Sequence, residues 1–167
     1  LNINEYKLMK KAGFRMILFG LESGNQKTLD KINKNLKIEQ IKDSCLNAKQ
    51  VGLEPHITVM LGYPWETHED ALVTVEFAEY LFNKGWVDTL QVTTVIPYPE
   101  TKLYKECKKN GWLISDDWDD FDMRKPVMKT ILSENEIKDL TQRLYKVFFT
   151  PKYLFRKIFS IRNIEDR

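Results

Sequence analysis

The stretch from His56 to Thr67, His-Ile-Thr-Val-Met-Leu-Gly-Tyr-Pro-Trp-Glu-Thr, constrains this chain more than any other. Its first half, His56 to Leu61, is apolar and β-branched. It alternates His, Thr and Met against Ile, Val and Leu, the period of a strand with one buried and one partly polar face. Gly62 and Pro64 break the run. Thr67-His-Glu-Asp70 then matches a capping box at the start of a helix. Strand, tight turn and capped helix make one βα unit, and parallel α/β folds place their ligands at the carboxyl end of such strands.

The same order of signals occurs twice more. Ile17-Leu-Phe-Gly-Leu-Glu-Ser23 leads into Gly24 and a short helical stretch reaching Lys34. Thr89-Leu-Gln-Val-Thr-Thr-Val-Ile96 runs into Pro97-Tyr-Pro-Glu-Thr101 and another helix. Each turn carries an acid followed by a hydroxyl: Glu22-Ser23, Glu66-Thr67 and Glu100-Thr101. Helix capping by the hydroxyl and attraction of the acid to the positive helix end explain that spacing without a ligand. In the first strand, Met16, Leu18, Gly20 and Glu22 share one face, with bulkier Ile17, Phe19 and Leu21 on the other. The bulkier face is expected to meet helices, which puts Glu22 on the inner side of a barrel-like sheet.

Strands expected near 15–21, 56–61 and 89–96 thus alternate with helices, which predicts an α/β fold with a parallel sheet and right-handed crossovers. Three strands cannot close a barrel, and they leave two edges to be covered. Either the C-terminal segment covers one edge, the chain self-associates, or the sheet is part of a larger barrel.

A chain of 167 residues with 43% hydrophobic and 30% charged content suits one globular domain with an extension. The net charge of +2 argues neither for nor against a nucleic-acid partner, and nothing else points to one. No apolar run approaches the roughly 20 residues that span a bilayer. Cys45 and Cys107 lie far apart in expected helices and form neither a disulfide framework nor a metal motif, so reduced thiols in the cytoplasm are expected. The first residues read as helix rather than a secretory leader, and their lack of a start methionine leads us to expect a processed or truncated chain.

His56 reads as a hydrogen-bonded interior residue rather than a metal ligand. Beyond residue 111 the pattern changes. Trp112 to Asp122 is an acidic, aromatic loop without the glycine and closing glutamate of a calcium loop. Ser133-Glu-Asn-Glu136 is a second capping box, followed by Ile137, Leu140, Leu144, Val147 and Phe148 at helical spacing. The basic, aromatic segment 151–162 is expected to cap the domain or contact residues outside it. The chain therefore divides into 1–111, the βα units, and 112–167, a loop and helical extension.

Gly20-Leu-Glu-Ser-Gly24, Leu29, Lys34, Gly62-Tyr-Pro-Trp-Glu-Thr67 and Pro97-Tyr-Pro-Glu-Thr101 together resemble the radical S-adenosylmethionine (radical SAM) superfamily. The resemblance is to the subgroup that often carries an N-terminal cobalamin-binding domain and to methylthiotransferase-like proteins. It covers about residues 1–122. The family patterns are roughly GIESG, GxPGET and PYPGT; Trp65 and Glu100 stand where the second and third have glycine. The resemblance implies strands four to six of a partial TIM-type (β/α)6 barrel, with a helical extension. It also implies S-adenosylmethionine as cofactor, cleaved at a [4Fe–4S] cluster for radical methylation or other C–H activation. The CxxxCxxC motif of that cluster is not here, so the cluster ligands, and any cobalamin, are expected in a missing N-terminal half of the same protein.

By the same resemblance, Glu22 and Ser23 match positions that bond the ribose or amino-acid part of S-adenosylmethionine. Lys34 falls near its carboxylate. Met60, Gly62 and Glu66 match the region beside the adenine, as do Ile96, Pro97 and Tyr98. No residue of this chain is assigned as catalytic or as a metal ligand, and the substrate is not legible. The competing reading is a non-catalytic α/β module that keeps the scaffold for binding or assembly. An unrelated barrel enzyme has no support, since there is neither a phosphate-binding glycine loop nor a nucleophile–base pair.

Overall fold

The computed structural model describes residues 1–160. Three strands, β1 (Met16–Glu22), β2 (Glu54–Leu61) and β3 (Thr89–Thr94), form one parallel sheet in the order β1-β2-β3. Leu18 stands opposite His56, and His56 opposite Thr89, so all three carboxyl ends lie at the same edge. The connections are α2 (Gln26–Lys31) with α3 (Ile38–Gln50), and then α4 (His68–Lys84). Ahead of the sheet is α1 (Ile3–Lys11), and after it come α5 (Lys102–Lys109), α6 (Glu134–Tyr145) and α7 (Pro151–Ser160).

The strand alternation is borne out. Ile57, Val59 and Leu61 are fully buried while His56, Thr58 and Met60 are half-buried. The buried face meets Ile41 and Cys45 of α3, Ala71, Val75, Ala78 and Leu81 of α4, and Ile137, Leu140 and Leu144 of α6 in one apolar core. Burial of this kind stabilises by roughly 25 cal/mol per Å². The opposite face stays open: Leu18 is 60% exposed. Thr67 caps α4, accepting from the Asp70 amide at 3.2 Å, and Ser133 caps α6 in the same way.

β1 lies one residue later than the sequence expectation, and two other strand limits differ from it by two residues. β2 begins before His56, since Pro55 pairs with Ile17 and its carbonyl accepts from the Asp88 amide. Proline removes only a donor, and near the start of a strand that is tolerated. β3 ends at Thr94 because Val95, Ile96 and Pro97 turn away into buried positions, although the Val95 amide still donates to Leu61.

The C-terminal extension covers the free edge of β3. The Val92 amide donates to the Tyr145 hydroxyl at 3.2 Å, and the Thr94 amide donates to the Met123 carbonyl at 3.1 Å. Arg143 grips Glu79 of α4 with two bonds of 2.8 and 2.7 Å. The first part of segment 151–162 forms α7, and residues 161–162 lie outside the described residues. Tyr153 donates to the Asp88 carbonyl and Arg156 to the Phe82 carbonyl, which fixes α7 at the amino-terminal end of β3. No helix among the described residues is long and apolar enough to cross a membrane.

Candidate functional site

The carboxyl edge of the sheet is built from three turns. At the end of β1 the pairing register shifts between Gly20 and Glu22, and Glu22 takes a left-handed backbone (φ 59°). That conformation is costly for a residue with a Cβ and recurs where a site needs a particular side-chain direction. The carboxylate folds back over Gly20 and accepts from Lys34 Nζ at 2.8 Å. A methyl group on Gly20 would lie 2.6 Å from Glu22 Oε1 and 2.9 Å from Lys34 Nζ. Glycine at this position is therefore what leaves room for the ion pair. Both side chains stay partly open to solvent.

The next two residues face elsewhere. Ser23 is fully buried, with its hydroxyl 3.0 Å from that of Thr74 on α4. The Gly24 amide donates to the same Thr74 oxygen. A Cβ on Gly24 would come within 2.9 Å of both Thr74 Cα and Phe77 Cβ, so the loop needs glycine to lie flat on α4. Ser23 and Gly24 join the β1 turn to α4. That use engages the Ser23 hydroxyl within the protein.

At the end of β2, Gly62 (φ 89°) donates its amide to Glu66 Oε2 at 2.7 Å. Glu66 is fully buried, and its Oε1 has no partner among the described residues. Burial pushes its carboxyl up to about 7, against the amide bonds from Gly62 and Tyr63 that pull it down. Tyr63 and Trp65, in the same turn, stack at 5.3 Å. Lys31, at the end of α2, places its ammonium 4.0 Å from the centre of a Trp65 ring.

At the end of β3, Ile96 is buried with Phe121 and Val127. Pro97 is buried, and Tyr98 points outward at 41% exposure. Glu100 has a left-handed backbone (φ 64°) and lies 3.0 Å from Lys105.

Between α2, the β2 turn and α5 lies a cavity of about 380 Å³. Its floor is apolar, with Met60, Val95, Ile96 and Leu103, while Tyr63 and Trp65 form an aromatic wall. Lys31, Asn33, Lys102 and Glu106 stand among its polar lining residues. The volume lies in the range of small-molecule sites. Of the residues chosen from sequence, Met60 and Ile96 line this cavity, and Glu22 and Lys34 form the pair described above. Lys31, Tyr63, Trp65 and Leu103 were not among those choices. The signal for Trp65 was present, because it occupies the glycine position of the family turn.

Cys45 and Cys107 are both buried, and burial pushes both thiols up, that of Cys45 to about 12. His56 Nδ1 lies 2.8 Å from the Thr89 hydroxyl, and burial holds the imidazole below its usual range. Among the described residues no cluster of His, Cys, Asp and Glu is placed to hold a metal. The site suits a ligand with a polar, charged end and a flat apolar body.

A three-stranded parallel βα sheet with an ion pair and an apolar cavity at its carboxyl edge has the architecture of parallel α/β proteins, whose ligand sites lie at the strand ends. Residues 1–78 match the Radical SAM superfamily. The chain is 32% identical over 156 residues to an uncharacterized methyltransferase of Pyrococcus horikoshii, covering 92% of this chain and 33% of that protein. It is 26% identical over 172 residues to bacteriochlorophyllide d C-8(2)-methyltransferase of Chlorobaculum tepidum, covering 93% and 37%. It is 27% identical over 155 residues to anaerobic magnesium-protoporphyrin IX monomethyl ester cyclase of Rubrivivax gelatinosus, covering 92% and 27%. The first half of the chain thus resembles the radical SAM superfamily, and the three-stranded parallel sheet with its helices is consistent with part of the barrel of that family. It spans about a third of the length of the curated relatives it matches.

Proposed function

We propose that this chain supplies the S-adenosylmethionine-binding part of a radical SAM enzyme that carries out methylation or another C–H activation. The observation that carries the reading is the apolar cavity at the carboxyl edge of the sheet, in the same set of turns as the Glu22–Lys34 pair. Opposite charges at the end of β1 suit the ammonium and carboxylate of the amino-acid part, or the ribose hydroxyls. The apolar floor of Met60, Val95, Ile96 and Leu103 suits the purine. When bound, S-adenosylmethionine supplies the adenosyl or methyl group for the chemistry. The residues described here bind it, orient it and keep water from the purine.

An iron–sulfur cluster does not fit this chain. Two buried cysteines on separate helices are not a cluster donor set, and a thiol held up near 12 is a poor source of thiolate. On this reading the cluster ligands belong to sequence outside these 167 residues. The chain contributes no residue that we assign to cobalamin, and the names of the relatives place no substrate in this cavity.

The test is S-adenosylmethionine binding by equilibrium dialysis to the native polypeptide, purified anaerobically. Glu22→Gln and Lys34→Met should each weaken binding about tenfold, in line with loss of one charge-assisted bond. Wild-type affinity in both variants would overturn the assignment. The donor set also favours a second reading, a binding module without catalysis. Three cysteines at CxxxCxxC spacing in the coding sequence directly upstream, with 5′-deoxyadenosine released under reductant, support the enzyme. Absence of both supports the module.

A further inference from the structure

We propose that Trp65 determines the specificity of this cavity, closing one wall against the edge of a planar ring and donating its indole N–H to an acceptor on that edge. This deepens the reading above and rests on it: the ring is the purine of S-adenosylmethionine.

Three observations converge on Trp65. The first is position. It lines the cavity beside Met60, Val95, Ile96 and Leu103, in the turn between β2 and α4. The second is fixation. Tyr63 stacks on the indole at 5.3 Å, and the Lys31 ammonium lies 4.0 Å from the ring centre, so two independent contacts hold one orientation. The third is an unused donor. Trp65 Nε1 is buried and has no acceptor among the described residues. A buried indole N–H normally finds a partner, and one left unmade carries a desolvation cost that a ligand acceptor removes. A purine edge offers ring nitrogens as acceptors, whereas the charged end of the ligand suits the Glu22–Lys34 pair at the end of β1.

The substitution also changes space rather than backbone. Trp65 is absent from the positive-φ positions, whereas Glu100, at the other glycine position of the family patterns, is among them. At residue 65 the side chain itself is therefore the consequence of the exchange, and it fills volume that a glycine leaves open.

The experiment measures affinities of the native polypeptide for S-adenosylmethionine and for an analogue enlarged by an N6-benzyl group. Trp65→Phe keeps an aromatic ring and removes the N–H together with the five-membered ring. It should bind S-adenosylmethionine about fivefold more weakly, the usual value of one net hydrogen bond. Trp65→Gly should bind the enlarged analogue at least about tenfold more tightly than wild type does, a gain that misfolding cannot imitate. Both results together support the inference. An N–H satisfied by water would leave Trp65→Phe at wild-type affinity, and a wall elsewhere would leave Trp65→Gly without the gain; either result overturns it. If wild type itself fails to bind S-adenosylmethionine, the underlying assignment of the cavity falls instead, and this inference with it.

Discussion

A carboxyl group with no solvent exposure is costly to ionise, and Glu66 bears that cost at the β2 turn. The bonds from the Gly62 and Tyr63 amides favour the anion, but burial outweighs them and the folded carboxyl is pushed up to about 7 from 4.5. The sign of the linkage follows. Below about pH 4.5 folded and unfolded states both hold the proton, and the stabilising difference is fully present. Between 4.5 and 7 the unfolded chain releases its proton first, so stability falls as pH rises, and the loss is complete above about 7. Urea midpoints should therefore drop between pH 5 and pH 8 in wild type. Glu66→Gln keeps an oxygen for Gly62 and should show a flatter dependence. Equal slopes in the two proteins would remove Glu66 as the source. The same scale explains Ser23, whose hydroxyl is engaged with Thr74 and is not presented to the cavity.

Among the elements, the β3–α5 turn keeps a glycine-like backbone without a glycine. Glu100 takes φ 64°, a conformation that costs a residue with a Cβ about 1–2 kcal/mol. Its contact with Lys105 is exposed and offsets little. Glu100→Gly relieves the strain but loosens the unfolded chain, a smaller effect of about 0.5–1 kcal/mol. Thermal unfolding should show the glycine variant at or slightly above wild type. Glu100→Val, β-branched in the same conformation, should fall below it. A glycine variant less stable than the valine variant would contradict this account of the turn. Neighbouring α5 is short, is capped by the Thr101 hydroxyl, which accepts from the Tyr104 amide, and carries Leu103 to the cavity.

For the whole molecule, the two sheet edges have different fates. The extension covers β3 through Tyr145 and Met123, so that edge has partners within the chain. Among the described residues β1 pairs only with β2, and Phe14, Met16 and Leu18 are exposed beside it. Among the described residues, neither terminal segment covers that surface. Tyr6 of α1 packs with Ala48, Leu53, Ile17 and Phe19 on the helix side, and α7 sits at the amino-terminal end of β3. An unpaired edge beside exposed apolar side chains favours pairing with another strand. The 167-residue chain by itself should self-associate in light scattering, and Leu18→Lys should shift it toward monomer. Hydrogen exchange of residues 16–22 should slow with association. A strict monomer at all concentrations would refute this.

The sequence by itself determined the three βα units, their parallel order, the buried face of each strand and the caps at Thr67 and Ser133. These follow from local rules: a period of two on a strand, and a hydroxyl within reach of an amide three residues on. It also carried the resemblance to the radical SAM superfamily, through motifs in a fixed order. Only the tertiary structure decided that Ser23 turns to Thr74, that Glu22 folds over Gly20 onto Lys34, and that Tyr145 completes the edge of β3. It also decided that Trp65 lies between Tyr63 and Lys31 in the cavity wall. Most of these contacts join residues far apart along the chain. Their geometry is set by how α2, α4 and α6 pack on one sheet, which no local pattern of residues encodes.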